Sequence, residues 1–553
     1  RLNEETLPIA LHHGSLDVSQ RRKVEAAMAD GRLRAVVCTS TLDLGIDWGD
    51  VDLVIHVGAP KGASRLLQRI GRANHRLDEP SRALLVPANR FEVLECEAAR
   101  EAAVAHVLDG EPPRAASLDV LAQHVLGMAC AAPFRMPDLY DEITSAAPYA
   151  ELSYETFEEV AEFVATGGYA LKTYDRFRRI VKTKEGAFRV AHPAVAQRYR
   201  LNVGTIVEAP MLKVRLTRRM AARSVPGAPG GAVGRGGRVL GEVEEATVDQ
   251  MTPGDTFLFA GEVLRFEGIR ETDVLVTRAT GEDPMVPSWA GGKFPLSTYL
   301  AERVRHLIHD AESRKALPAP VAEWLELQRL RSALPGPGEM LIETFPRADK
   351  FYLVCYPFEG RPAHQTLGML LTRRLERARL RPLGFVANEY ALAVWGLRPL
   401  GGVDMHALFD EDMLGDDLEA WLAESVLLKR TFRQCAVIAG LIERRFPGAE
   451  KSGRQVTFSA DLIYDVLRSH EPGHILLRAT RQDAASGLLD IKRLGDMLRR
   501  VRGRLTRKDL PRVSPLAVPV MLEIGREPIH GEANEAILGE AADHLIEDAV
   551  RLD

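Results

Sequence analysis

The first 110 residues alternate short apolar runs with amphipathic stretches, a pattern typical of strands that alternate with helices. Three strands are predicted, at residues 35–38, 53–57 and 83–86, and three helices, at residues 19–30, 64–72 and 90–108. Strands separated by helices in this rhythm favour a parallel sheet with covering helices. The pattern therefore predicts an α/β domain over residues 1–110.

A helical region follows Glu111-Pro112-Pro113, where two prolines end the first pattern. Helices are predicted at residues 118–131, 137–146 and 153–165, and the last of them has Ser153 as its N-cap and Gly167-Gly168 at its end. Residues 177–191 then predict a two-stranded hairpin that turns at Lys184-Glu185-Gly186. Three helices and a hairpin indicate a winged helix over residues 111–200.

The rest of the chain divides into three further regions. Short strands with Gly/Pro turns predict a small β-barrel-like module over residues 201–296, and a helical linker over 297–338 follows. We expect an α+β domain over residues 339–553, with strands at 351–356, 385–387 and 518–523 and helices such as 366–379. The predicted fold class is thus a multidomain chain of α/β and α+β units.

Composition excludes several classes of protein. No run of about 18 apolar residues occurs, so no membrane partner is expected. None of the five cysteines forms a CxxC pair or stands near histidine at metal spacing, so neither a metal site nor a disulfide framework is expected. Reduced cysteines fit a cytoplasmic location.

The net charge of −5 conceals a strongly basic segment. Residues 172–240 contain sixteen Lys/Arg and three acidic residues, a local balance of +13. Nucleic-acid affinity depends on local positive surface rather than on total charge, so this segment favours a nucleic-acid partner. A solvated surface is the alternative for any single one of these side chains.

The most informative stretch is Gln68-Arg69-Ile70-Gly71-Arg72-Ala73-Asn74-His75-Arg76, which follows a predicted strand. Arginine keeps its proton at any relevant pH, and its planar fork suits bidentate phosphate contacts. We expect these residues in the opening turns of a short helix at the carboxyl edge of the sheet, where ligands of open α/β folds lie. A surface helix with solvated arginines is the alternative.

Two upstream blocks, LHHGSLDVSQRRKVE (residues 11–25) and VVCTSTLDLGIDWGDVDLVI (residues 36–55), give this stretch a context. The three blocks, in this order and spacing, resemble motifs IV, V and VI of superfamily 2 helicases. Within that group the chain is similar to the Lhr ("large helicase-related") proteins, in particular the shorter ligase-associated DEXH-box type. The resemblance covers essentially the whole chain and implies that residues 1–110 are an N-terminally truncated second RecA-like domain.

The resemblance also implies roles at the nucleotide. Gln68 matches the glutamine that positions water, Arg72 the arginine finger, and Arg69 a second arginine close to the phosphates or to an acidic partner. Asp47 matches the acid that contacts the ribose, and Gly45 permits close approach of the backbone. His75 stands where the family usually has a second arginine, and Arg76 lies one residue after that position. Arg72 is therefore the main candidate for the arginine finger.

Candidate nucleic-acid contacts lie in four places. They are Gly14-Ser15 after the first element, Thr39-Ser40 after the strand 35–38, the hairpin side chains Arg178, Arg179, Lys182 and Lys184, and Trp289 within PMVPSWAGGKFP. Ser15 and Ser40 could instead be helix caps. Trp289 resembles the base-contacting tryptophan of the Lhr core, but a buried loop anchor is the alternative.

One absence shapes the functional expectation: the chain contains neither GxxxxGK[ST] nor a DExH box. We therefore expect a fragment that hydrolyses no ATP alone, from a protein that uses ATP and Mg²⁺. The resemblance implies a 3′-to-5′ translocase on single-stranded DNA that unwinds DNA and RNA:DNA duplexes in DNA repair, with a DNA ligase and a metallophosphoesterase as associated partners. The alternative is a non-catalytic scaffold that binds single-stranded nucleic acid.

Overall fold

The structure is a computed structural model. It describes residues 7–14, 16–43, 51–74, 79–110, 117–207, 211–217, 238–244, 248, 251, 253–259, 262–270, 273–279, 294–400, 402–424, 427–451, 453–487, 489–524 and 549. Within these residues, no helix combines the length and the apolar character needed to cross a bilayer.

The N-terminal module is the predicted α/β unit. Its elements are β1 (Ile9–His12), α1 (Val18–Ala29), β2 (Ala35–Cys38), β3 (Val54–Val57), α2 (Ala63–Ile70), β4 (Ala83–Val86) and α3 (Arg90–Val104). β1 pairs parallel with β2, and β3 pairs parallel with β4. A helix joins the two strands of each pair, as parallel pairing requires. The carboxyl ends of the strands, where the candidate residues lie, therefore share one edge within each pair.

The winged helix follows as predicted, with one helix more. Its elements are α4 (Leu118–Ala131), α5 (Met136–Thr144), α6 (Tyr154–Thr166), β5 (Ile180–Lys182), β6 (Phe188–Val190) and α7 (Pro193–Asn202). Ser153 caps α6 by accepting the Thr156 N–H at 3.2 Å, and Gly167 ends it at φ 81°, in the left-handed region that favours glycine. α7 was not predicted from the sequence.

The β-rich module forms one five-stranded sheet from β7 (Met211–Leu216), β8 (Arg238–Glu244), β9 (Thr256–Phe259), β10 (Glu262–Arg270) and β11 (Asp273–Arg278). The strand order is β8–β7–β11–β10–β9, with β7 and β11 parallel and the other neighbours antiparallel. In the described pairings β8 and β9 are the two edges, so this part of the chain is an open sheet and the barrel expectation is corrected to that extent.

The C-terminal region contains the predicted α+β fold. Three helices lead into it, namely α8 (Thr298–His309), α9 (Ala311–Ala316) and α10 (Ala319–Arg331). Its sheet is formed by β12 (Met340–Arg347), β13 (Lys350–Cys355), β14 (Pro382–Ala387), β15 (Leu392–Gly396) and β18 (Leu505–Asp509). The order of the strands in the sheet is β14–β15–β13–β12–β18. Helices α11 (Arg361–Arg377) and α17 (Ile491–Val501) pack on one face, and α8 and α10 pack on the other.

The alternation of side chains along β13 shows how both faces are filled. Leu353 and Cys355 belong to the core beneath α11, whereas Tyr352 and Val354 belong to the core beneath α8. The predicted strand at 518–523 is wrong: Val518–Met521 forms one helical turn, α18, with Pro519 in its first turn. A short apolar run does not distinguish a buried strand from a buried helical turn.

Helices of the C-terminal region also contribute to the apolar core of the winged helix. The remaining elements of the region are α12 (Met405–Leu408), α13 (Asp416–Glu424), α14 (Leu427–Ile438), β16 (Arg445–Phe446), β17 (Ala449–Glu450), α15 (Gly453–His470) and α16 (Ile475–Ser486). Phe432 on α14 and Leu467 on α15 share one apolar core with Phe157 and Phe163 of the winged helix. Part of the region 339–553 therefore packs on the winged helix, and the five domain boundaries stay predictions.

Candidate functional site

The arginine helix, by which we mean α2 together with the turn as far as Arg72, carries the predicted motif at its end rather than its beginning. α2 ends at Ile70 and Gly71 is its C-cap, so Gln68 and Arg69 lie in the last turn and Arg72 lies just beyond it. The expectation of the opening turns is therefore wrong. α2 begins at Ala63, one residue before the predicted start, and the Asp109 carboxylate accepts the N–H groups of Ala63 and Ser64, each at 2.8 Å.

An acidic partner, Asp43, fixes the end of the arginine helix. The Arg69 Nε donates to Asp43 Oδ2 at 2.8 Å, and the Arg72 Nε donates to the Asp43 backbone oxygen at 3.3 Å. Asp43 follows a one-turn helix after β2, so both arginines connect the third motif block to the second. The family resemblance implies an acidic partner for Arg69 as one of two options, and the structure identifies that partner as Asp43.

His56, on β3, completes this group. Its Nδ1 lies 3.3 Å from the Arg69 Nη1. Burial, together with the positive charge of Arg69, lowers the pKa of His56, and both effects favour the neutral imidazole. Beside this group the Gln68 side chain is exposed. The arrangement offers an oriented guanidinium end to a phosphate, which suits stabilisation of charge on a transferring phosphoryl group.

A second group of candidates meets at the carboxyl ends of β1 and β2. Gly14, Thr39 and Ser40 are all exposed, and the Thr39 N–H donates to the His12 backbone oxygen at 3.4 Å. The Thr41 hydroxyl lies 2.9 Å from His12 Nδ1, which holds the two strand ends together. The structure thus brings three predicted phosphate contacts to one exposed edge.

The basic hairpin divides its charges between surface and interior. Arg178, Lys182 and Lys184 are exposed, as a phosphate contact requires. Arg179 is only 3% exposed, and its Nη1 donates to the Ala439 backbone oxygen at 2.7 Å. Burial lowers the pKa of Arg179 to about 10. The prediction of Arg179 as a nucleic-acid contact is therefore corrected, because its guanidinium faces the interior.

Five further candidates lie outside the described residues. They are Ser15, Gly45, Asp47, Arg76 and Trp289. Their assignments stay predictions from the sequence.

A cleft of about 1280 Å³ opens beside the arginine helix, between it and the C-terminal sheet. Arg65 and Arg69 line one side of the cleft, and Arg361, Glu389 and Tyr390 line the other. The Arg65 guanidinium lies 3.8 Å from the centre of the Phe294 ring, a cation–π contact. The arginine helix therefore borders the C-terminal domain directly.

Comparison with known families agrees with this architecture. Three family models match in chain order: the helicase conserved C-terminal domain over residues 1–76, the winged helix domain of large helicase-related protein over 101–286, and the DEAD/H associated family over 334–517.

Two curated relatives match over most of the chain. An ATP-dependent helicase Lhr-Core protein 2 from Thermococcus barophilus is 30% identical over 507 residues, 88% of this chain and 56% of the relative. An ATP-dependent helicase Lhr-Core from Methanocaldococcus jannaschii is 27% identical over 557 residues, 98% of this chain and 63% of the relative. The chain thus spans about six tenths of the length of these relatives.

A solved structure shows the same fold. The Mycobacterium smegmatis helicase Lhr, determined with single-stranded DNA and AMP-PNP, superposes with a TM-score of 0.67 at 23% identity. The superposition covers 93% of this chain and 62% of that one. The order of the modules, the three family matches and these relatives agree, and the chain belongs to the Lhr-type helicases of superfamily 2.

Proposed function

We propose that this chain forms the arginine-finger side and much of the nucleic-acid path of an ATP-dependent helicase. The observation that carries the proposal is the anchoring of Arg69 and Arg72 by Asp43, next to the exposed Gln68, at the carboxyl edge of a parallel pair of strands. Arginine donors held in this way suit the charge that develops on a phosphoryl group. In this assignment Gln68 orients water, Arg72 is the finger, and Arg69 keeps the helix in register.

The donor set fits ATP phosphates but forms only one side of a nucleotide site. The sequence holds no phosphate-cradling GxxxxGK[ST] and no DExH box, so we assign no magnesium ligand to this chain. When bound, ATP would be the phosphoryl donor, and Mg²⁺ would neutralise charge on its phosphates. Asp47 and Gly45 at the ribose, and Arg76 near the phosphates, belong to the same proposal.

We assign the nucleic-acid path to two surfaces. Gly14, Thr39 and Ser40 form the first, with Ser15 beside them in the sequence. The second is the outer side of the basic hairpin, formed by Arg178, Lys182 and Lys184. Both surfaces offer hydroxyl, backbone or cationic donors suited to phosphates, and Trp289 is the proposed stacking residue.

The finer proposal follows the family resemblance. The intact protein moves 3′-to-5′ on single-stranded DNA and unwinds DNA and RNA:DNA duplexes during DNA repair in the cytoplasm. A DNA ligase and a metallophosphoesterase are its proposed partners, by family association.

ATP hydrolysis by the full-length protein, with and without single-stranded DNA, tests the proposal. We expect hydrolysis that DNA stimulates, together with strand displacement on a duplex with a 3′ tail, and no hydrolysis by the 553-residue chain alone. DNA binding without hydrolysis by the full-length protein would instead support a scaffold. ATP hydrolysis by the 553-residue chain alone would contradict the proposal that the chain forms only one side of the nucleotide site.

A further inference from the structure

The start of the arginine helix is held by residues from distant parts of the chain. Glu95, on α3, has no solvent exposure, and its carboxylate accepts the Lys61 backbone N–H at 2.6 Å and the Lys61 Nζ at 2.9 Å. Lys61 stands two residues before α2 and has φ 63°, a left-handed conformation that costs free energy for any residue other than glycine. The two bonds from Lys61 to Glu95 hold the linker in that conformation.

The third donor to Glu95 comes from the C-terminal sheet. Tyr390, in the turn between β14 and β15, donates its hydroxyl to Glu95 Oε2 at 2.6 Å across a separation of 295 residues. Asn388 shapes that turn, because its Oδ1 accepts the N–H groups of Tyr390 and Ala391 at 2.9 and 2.8 Å. The Tyr390 ring stacks on Phe91 of α3 with 4.7 Å between ring centres, and this stacking fixes the position of the hydroxyl.

A second link reaches the same helix end from α8. The Ser297 hydroxyl donates to Asp109 Oδ2 at 2.5 Å, and the same carboxylate accepts the first N–H groups of α2. The Ser297 N–H also donates to the Lys61 backbone oxygen at 2.8 Å. The first N–H groups of the arginine helix are therefore bonded to Asp109, and the linker residue Lys61 before them is bonded to Glu95 and Ser297. Tyr390 of the C-terminal sheet reaches this linker through Glu95, whereas the last turn of the helix is bonded to Asp43.

We propose that Tyr390, acting through Glu95 and Lys61, is a positioning residue for ATP turnover, and that the C-terminal α+β domain sets the orientation of the arginine helix. This proposal rests on the proposed function. α2 has only eight residues, so a change in its start is transmitted along about two turns to Gln68 and Arg72. An arginine finger tolerates little displacement, because its contribution depends on geometry at the phosphoryl group.

The structure offers a matched control for the loss of the Tyr390 hydroxyl. Tyr356 is also buried and donates to a buried glutamate, Glu343, at the same 2.6 Å. That bond lies within the C-terminal domain, since Glu343 is on β12 and Tyr356 follows β13. Burial next to a carboxylate raises the pKa of both tyrosines well above the ordinary value, so both hydroxyls stay protonated as donors.

The test compares Tyr390→Phe with Tyr356→Phe in the full-length protein, by steady-state ATP hydrolysis at saturating single-stranded DNA and well below both unfolding temperatures. We expect Tyr390→Phe to lower kcat about tenfold, the scale of one lost hydrogen bond to a charged group, with the KM for ATP nearly unchanged. We expect both variants to lower the unfolding temperature by similar amounts, but Tyr356→Phe to leave kcat near that of the wild type. Equal kcat in the two variants overturns the positioning role.

A second measurement separates this proposal from the proposed function. Amide hydrogen exchange of residues 61–70 is compared in the two variants of the 553-residue chain, with no nucleotide present. Faster exchange at Ala63 and Ser64 in Tyr390→Phe alone supports the link even if the full-length wild type hydrolyses no ATP. Unchanged exchange in both variants overturns it even if the wild type is an active ATPase.

Discussion

Two buried tyrosine–glutamate pairs in this molecule have the same chemistry and different positions. The hydroxyls of Tyr356 and Tyr390 each donate over 2.6 Å, to Glu343 and to Glu95, and both carboxylates are fully buried. The first pair joins residues 13 apart within one domain, whereas the second joins residues 295 apart in two modules. The difference shows that the location of a hydrogen bond, and not its strength, decides whether it stabilises a core or connects a domain to a functional helix.

The other partners of each carboxylate sharpen this contrast. Glu343 also accepts from Gln328 Nε2 at 2.8 Å and from the Ser514 hydroxyl at 2.5 Å, both of them buried neutral donors. Glu95 instead pairs with the Lys61 ammonium, whose side chain is 23% exposed. Water can therefore reach one partner of Glu95 if the carboxylate is lost, but the partners of Glu343 would stay dry.

The largest expected effect on stability follows from that difference. Glu343→Ala removes the carboxylate that accepts from three buried donors, and we expect it to lower the free energy of unfolding by about 4 kcal/mol or more. Glu95→Ala should cost about 2 kcal/mol, because Lys61 can turn to solvent. Urea denaturation of the 553-residue chain measures both. A loss for Glu95→Ala that matches or exceeds the loss for Glu343→Ala would contradict this account of the two pairs.

A smaller effect is expected on DNA binding by the basic hairpin, where Arg178 is exposed and the neighbouring Arg179 is buried. We expect replacement of Arg178, Lys182 and Lys184 together by Gln to reduce the slope of log K against log salt concentration for single-stranded DNA binding. The expected reduction is about 2, because each phosphate contact contributes about 0.7. Arg179→Met should leave the slope unchanged, because Arg179 is buried against Ala439. Binding titrations between 50 and 200 mM salt, roughly the range in which such contacts weaken most, measure the slopes.

Either of two results would remove the hairpin from the proposed path. One is an unchanged slope in the triple variant. The other is an equal reduction in Arg179→Met, which would show that the variants act through the fold rather than through phosphate contacts.

Local pattern was sufficient for much of the fold. The strands Ala35–Cys38 and Ala83–Val86 and the helix Leu118–Ala131 have the predicted bounds, because short apolar strands and a helix with apolar periodicity are encoded by adjacent residues. The run 518–523 was predicted wrongly, because a short apolar run does not distinguish a strand from a helical turn. The order of the modules was predicted from the same patterns.

The candidate site was only partly predictable, for a physical reason. Gln68, Arg69 and Arg72 stand out because their residue types and spacing are local. Asp43 as the partner of Arg69, and Tyr390 as the partner of Glu95, depend on contacts between distant segments that periodicity cannot reveal. Arg179 shows the converse, since this charged residue in a basic run is buried against Ala439, which comes 260 residues later.

The central claim is that Arg72 acts on the phosphoryl group, and one measurement tests it most directly. It is DNA-stimulated ATP hydrolysis by the full-length Arg72→Ala variant, beside Arg100→Ala, an exposed arginine on α3 that pairs with Glu97. We expect Arg72→Ala to lower kcat by about 10³ or more, as loss of an arginine finger does, while Arg100→Ala leaves kcat near that of the wild type. A kcat for Arg72→Ala within a few fold of the control would contradict the account.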